Sequence, residues 1–245
     1  MKLTVLGCLG AYPYAGQGTT SYLLQTDDFN LLLDAGSSTL LELEKELDPL
    51  DLDAVILSHY HHDHIADLGV LQYYWQLFPT EEPKPLLPIY GHTEDEFHFN
   101  DLSMENVSEG RPYFESEELK LGPFLVTFMK TIHPVPCYAM RFVEVKTGAV
   151  FVFTGDSGYL EGFNQFAKEA DLFLADTYLF NGHEHHKAHF TAQEAGSFAK
   201  TARVKKLVLT HLPQQGDLAV LREQAQAAAG TIPVDLAAPH KKFEI

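Results

Sequence analysis

The chain has 245 residues, 45% of them hydrophobic, enough to bury a substantial core. Lys and Arg number 17 against 34 Asp and Glu, and the formal net charge of −17 disfavours non-specific binding to nucleic acid or to anionic membrane. No apolar run approaches the roughly 18 residues that span a bilayer, and two cysteines, Cys8 and Cys137, are too few for a disulfide framework or a Cys-rich zinc site.

The apolar start at 3–9 could imitate a secretory signal. Thr4 and Gly7 interrupt it, and Tyr12-Pro13-Tyr14 follows without a small-residue cleavage site. It reads as a first strand, and the cytoplasm is the expected location. Residues 21–25 and 29–33 read as two strands over a polar turn at Asp27-Asp28. Residues 40–47 predict a short amphipathic helix stopped by Asp48-Pro49. A buried strand is expected at 54–57 and a helix at 66–77. Residues 80–85 are acidic and Pro-rich, hence a surface loop. The acidic stretch 94–110 reads either as an inserted loop or as a cover over a site. Strands are expected at 119–121 and 124–130, and a hairpin from 138–145 and 149–153. A helix at 162–168, a strand at 172–175, a helix at 192–202, a strand at 207–209 and a helix at 218–229 complete the series. Two sheet layers with helices outside, in one α/β domain over 1–245, are expected. No repeat, low-complexity tract or linker divides the chain.

The 13 histidines are not scattered evenly. His59-Tyr60-His61-His62-Asp63-His64 follows the apolar run Ala54-Val55-Ile56-Leu57, so a buried strand delivers ligand-type residues at its carboxyl end. Imidazole and carboxylate suit zinc and similar divalent ions. His59 and His61, two apart on an extended segment, face the same way. The grammar recurs: an apolar run leads to His133, another to Asp156, a third to His211. Sites in α/β sheets collect outside the carboxyl ends of strands, so these residues imply one shared site. A surface tract that binds metal adventitiously would have no reason to follow buried strands four times.

On these residues the chain resembles the metallo-β-lactamase-fold hydrolases. His59, His61, Asp63 and His64 match the HxHxDH motif, and His133, Asp156 and His211 match the three later ligand positions in order. The resemblance implies an αβ/βα four-layer sandwich with a dinuclear metal site at one edge. One ion would be held by His59, His61 and His133, the second by Asp63, His64 and His211, with Asp156 bridging. A shared hydroxide would be the nucleophile, oriented by Asp63. Zinc is the first expectation, and manganese and iron suit the same ligands.

His189, before the helix at 192–202, and Asp176, after the strand at 172–175, resemble the His-x-Thr element and preceding carboxylate of the ribonuclease Z branch. Asp rather than Glu stands at the carboxylate position. The implied role is an Asp176–His189 pair in which the imidazole stabilises phosphorane charge or protonates the leaving oxygen. A structural alternative is that His189 merely caps the helix or lies in the local His-rich loop. His183, His185 and His186 match no ligand position and read as a solvated loop. Only 19 residues separate Asp156 from Asp176, too few for the transfer-RNA-gripping arm of that branch. A small phosphodiester, such as a cyclic nucleotide or another cyclic phosphate, is the expected substrate. Lactone or thioester hydrolysis of the glyoxalase II type is the second reading, and RNA 3′-processing the third. Relatives of this branch are commonly dimers, so a homodimer is expected.

Overall fold

In the computed structural model, which describes residues Met1–Ile245, the chain forms two seven-stranded sheets, one in each of two compact units. The first unit comprises Met1–Phe114 and Pro239–Glu244. Its elements are β1 (Lys2–Gly7), β2 (Ser21–Thr26), β3 (Phe29–Leu33), α1 (Thr39–Leu43), β4 (Ala54–Ile56), α2 (His62–Ile65), α3 (Leu68–Leu77), β5 (Leu87–Gly91), α4 (Glu96–Asp101) and β6 (Ser108–Pro112). Strands β1 to β3 pair antiparallel, and β3 to β6 pair parallel.

Register explains the core. Leu23 pairs with Leu32, Leu32 with Val55, and Val55 with Ile89, so one side chain per strand forms a row across four strands. Leu43 of α1 and Leu68, Leu71 and Trp75 of α3 belong to the same buried cluster. Each such side chain contributes about 1.5–3 kcal/mol by leaving water. Trp75 satisfies its indole N–H on the Pro85 carbonyl at 3.0 Å.

The helix expected at 66–77 is α3, Leu68–Leu77, and a separate single turn, α2, precedes it. The loop after β3 causes the break. Ala35 N–H donates to the His64 carbonyl at 2.7 Å, and Asp67 N–H donates to the Ala35 carbonyl at 3.0 Å. Both groups would otherwise continue one helical ladder, so the chain stops after a single turn and restarts at Leu68. The stretch 94–110 is not a bare loop: it holds α4 and the start of edge strand β6.

The second unit comprises Glu115–Ala238 and Ile245. It contains β7 (Leu119–Leu121), β8 (Phe124–Lys130), β9 (Tyr138–Glu144), β10 (Val150–Phe153), α5 (Phe163–Phe166), β11 (Leu172–Asp176), α6 (Ala192–Ala202), β12 (Leu207–Thr210), α7 (Leu218–Ala229) and β13 (Val234–Leu236). Strands β7 to β10 pair antiparallel and β10 to β13 parallel. Phe163 is the hub of an aromatic cluster, with ring centroids 5.2 Å from Phe190, 5.7 Å from Phe198 and 6.4 Å from Phe173. Helix α6 lies so close to α7 that a Cβ on Gly196 would run into the Ala225 carbonyl and stand 2.9 Å from the Ala228 methyl.

The last strand, β14 (Lys242–Glu244), pairs antiparallel with β1, Leu3 opposite Phe243, and so belongs to the first sheet. Each sheet therefore has three antiparallel ladders followed by three parallel ones. Just before β14, the His240 ring lies between Glu46 and Glu42, at 2.8 and 2.7 Å. Both cysteines are buried and free, and burial pushes the Cys8 thiol up to about 12. No helix is long and apolar enough to cross a membrane.

Candidate metal centre

Strands β4, β10, β11 and β12 lead to His59, Asp156, Asp176 and His211, and the antiparallel strand β8 leads to His133. In the first unit β4 delivers Ser58 and His59, both fully buried, and His61 is the N-cap of the single turn α2 that carries Asp63 and His64. His59 Nε2 and His61 Nδ1 stand 3.1 Å apart. Two nitrogens bound to one tetrahedral ion at about 2.0–2.1 Å are about 3.3 Å apart, so this spacing fits ligands of a shared ion. Asp63 accepts the Ala11 N–H at 2.7 Å on Oδ2.

Two residues that the family motif does not include hold these candidate ligands in place. Asp34, fully buried directly after β3, accepts the Ser58 N–H at 2.7 Å, the Ser58 hydroxyl at 2.8 Å and His64 Nδ1 at 2.7 Å. Ser58 Oγ in turn lies 3.0 Å from His59 Nδ1. The Nδ1 atoms of His59 and His64 are thus occupied by protein partners, which directs Nε2 of each toward an ion. The signal for Asp34 was present: Leu31-Leu32-Leu33-Asp34 is another apolar run ending in an acid.

In the second unit His133 Nδ1 faces the Ala188 carbonyl at 3.2 Å, and its Nε2 lies 3.8 Å from Asp156 Oδ2. His211 Nε2 lies 3.3 Å from the same oxygen. Asp156, Asp176, His189 and His211 each offer a ligand atom, all within 4.8 Å of one another. Asp176 meets His189 Nδ1 at 2.9 Å through Oδ2 and His211 Nδ1 at 3.4 Å through Oδ1. Ser157 N–H also donates to Asp176 Oδ2, at 3.1 Å. Burial pushes the Asp176 carboxyl up, but His189 and His211 outweigh it and hold the group below the usual carboxylate range. The expected Asp176–His189 pair is therefore present, and Asp176 has a second task on His211 that the sequence did not reveal.

His189 does not cap α6. Thr191 does, with a full capping box: the Glu194 N–H donates to Thr191 Oγ1 at 3.3 Å, and the Thr191 N–H donates to Glu194 Oε2 at 2.9 Å. This cap fixes the backbone two residues after His189. The His183, His185 and His186 side chains lie on an exposed loop, as expected. That loop is nonetheless anchored, since the His185 N–H donates to Glu194 Oε1 at 2.7 Å. The His186 ring stacks on His189, centroids 6.0 Å apart. His62 is exposed and joins neither set of ligands.

The sequence model of the Metallo-beta-lactamase superfamily matches residues 15–211. The chain belongs to the metallo-β-lactamase superfamily. It is 42% identical over 228 residues to the probable metallo-hydrolase YhfI of Bacillus subtilis, covering 92% of this chain and 93% of that protein. The crystal structure of YhfI matches with a TM-score of 0.93 at 40% identity over 99% of both chains. Ribonuclease Z of Thermobifida fusca is 25% identical over 87% of this chain and 84% of its own. A diphosphatase of the PhnP family shares the fold, with a TM-score of 0.77 at 20% identity over 100% of this chain and 97% of that one. The α/β metallo-β-lactamase fold and the ribonuclease Z-like branch expected from the sequence are the ones found. The protein is a metallo-hydrolase, and its His/Asp clusters imply divalent metal ions.

Proposed function

We propose that the protein is a dinuclear metal-dependent phosphodiesterase acting on a small anionic phosphodiester or cyclic phosphate. In this reading His59, His61 and His133 hold one ion, Asp63, His64 and His211 the other, and Asp156 bridges them, with zinc the first expectation. When bound, such ions supply Lewis-acid charge and an activated water. The Ala11 N–H occupies Oδ2 of Asp63, so the carboxylate has a fixed orientation from which to position a nucleophile and take its proton.

The observation that carries the reading is the Asp176–His189 pair at 2.9 Å. With Nδ1 directed to a buried carboxylate, His189 presents Nε2 to the substrate. In its protonated form that atom donates to a non-bridging oxygen or to the leaving alkoxide. Hydrolysis of a good carbonyl leaving group has less need of such a donor. The ribonuclease Z relatives and the diphosphatase fold neighbour support phosphorus–oxygen chemistry.

The test is a hydrolysis screen over phosphodiesters, lactones and thioesters, with metal analysis of the same samples and of His189→Ala. The variant is expected to keep its metal content, because His189 is not a ligand in this reading, and to lose roughly 10²–10³ in phosphodiesterase kcat. Asp176→Asn is expected to lower metal affinity as well, since Asp176 also faces His211. Wild-type phosphodiester turnover by metal-replete His189→Ala would make the pair structural. Lactone or thioester hydrolysis would then be favoured equally.

A further inference from the structure

One exposed segment adjoins the ligands without belonging to them. Residues 11–17, Ala-Tyr-Pro-Tyr-Ala-Gly-Gln, are all solvent-exposed, with Tyr12 at 50% and Tyr14 at 58%. The stretch from Gly10 to Ser21 carries no charged residue in a chain of net charge −17. The segment therefore adds no negative charge that would repel an anionic substrate.

The segment is held in a fixed shape. Tyr14 and Gln17 exchange both backbone hydrogen bonds, at 3.1 and 2.9 Å. Ala15 and Gly16 between them have φ of 50° and 78°, the signature of a tight two-residue hairpin. Pro13 fixes the backbone between the two tyrosines. At its base the Leu9 N–H donates to the Gly18 carbonyl at 3.2 Å and the Thr19 N–H to the Ser37 carbonyl at 3.1 Å. The decisive contact is Ala11 N–H to Asp63 Oδ2 at 2.7 Å. Tyr12 therefore starts one peptide step, about 3.8 Å of chain, from a residue that grips a candidate metal ligand.

We propose that Tyr12 and Tyr14 form a stacking subsite for a planar aromatic group on the substrate, a nucleobase by chemical class. The proposal rests on the phosphodiesterase reading and narrows it to nucleotide-type phosphodiesters. Tyrosine suits the task because it offers a large rigid face with little rotamer freedom to lose. A pre-shaped loop keeps more of the binding energy than one that must order on contact. Stacking on an aromatic side chain tolerates any base, so the loop recognises the class of group and the ions the phosphate.

The experiment compares adenosine 5′-monophosphate with ribose 5-phosphate as ligands of the metal-loaded protein by calorimetry. Adenosine 2′,3′-cyclic phosphate and the same cyclic phosphate of 1-O-methylribose serve as substrates. The nucleotide is expected to bind at least about tenfold more tightly than the sugar phosphate. Tyr12→Ala/Tyr14→Ala should abolish that ratio with metal content unchanged, and Tyr12→Phe/Tyr14→Phe should retain it. Equal affinity for both ligands in the wild type, or an unchanged ratio in the double alanine variant, overturns the proposal. If neither cyclic phosphate nor any phosphodiester of the screen is hydrolysed, the phosphodiesterase reading fails, and the binding ratio still decides the loop. The loop stands refuted, with the phosphodiesterase reading intact, if both cyclic phosphates are hydrolysed with the same KM.

Discussion

Asp34→Asn isolates the contribution of a buried carboxylate that lies outside the candidate ligand groups. Asn is nearly isosteric and tolerates the left-handed backbone of position 34, where φ is 56°. Backbone strain therefore does not confound the result. The amide oxygen can still accept the Ser58 N–H, now at 2.7 Å from Oδ1. The other end of the side chain becomes a donor, and it faces His64 Nδ1 at 2.7 Å and the Ser58 hydroxyl at 2.8 Å. His64 must then accept on Nδ1 and carry its proton on Nε2, which removes the lone pair that would bind an ion. Loss of such an orienting partner costs about 10–100-fold in metal affinity, or about 1.4–2.7 kcal/mol. Losing a hydrogen bond to a charged group also destabilises the metal-free protein by about 1.5–3 kcal/mol. Zinc titrations against a chromophoric chelator and urea melts of the metal-free protein measure the two effects separately. An Asp34→Asn protein that binds zinc with wild-type affinity would refute the orienting role.

Gly196→Ala should force α6 away from α7, because the new methyl meets the Ala225 carbonyl and stands 2.9 Å from the Ala228 methyl. Overpacking of this kind costs about 1–3 kcal/mol, and a melting temperature equal to wild type would contradict the close crossing. Near the C-terminus, hydrogen bonds from Lys45 and His240 hold Glu42 below the ordinary carboxylate range. Burial pushes Glu46 up, but Lys242 and His240 outweigh it and lower it too. A carboxylate depressed in the folded state stabilises fully above its unfolded value, near about 4.3, and loses that contribution as pH falls through its folded value. Stability should therefore drop in acid, and Glu42→Gln/Glu46→Gln should flatten that decline. Coincident acid limbs for the two proteins in urea melts would rule these groups out.

Most of the candidate ligands were legible because they follow a continuous apolar run, the pattern of buried strands with parallel partners; His133 follows the alternating antiparallel strand β8. The runs before His59, Asp156, Asp176 and His211 became β4, β10, β11 and β12. Asp34 obeys the same rule but lacks a motif partner nearby, and its role lies in contacts to Ser58 and His64, residues 24 and 30 positions away. Strand β5 was hidden by Pro88 and by the Pro-rich stretch before it. Strand β6 was hidden by Glu109 and Arg111, charges expected of an edge strand. Strands β13 and β14, of three residues each, carry too little pattern to be seen. The break between α2 and α3 was invisible because it is made by a loop about thirty residues upstream, through the backbone of Ala35.

The pairing of β14 with β1 sets the order in which the protein can be completed on the ribosome. The first unit lacks its outermost strand until residue 244 has been made, long after Phe114 ends its main segment. Roughly 130 residues at about 5–20 per second separate the two events, so the free edge of β1 waits on the order of ten seconds. During that interval it is open to pairing with another nascent chain. The intervening sequence encodes the whole main segment of the second unit, which is free to fold while the first still waits for its final strand.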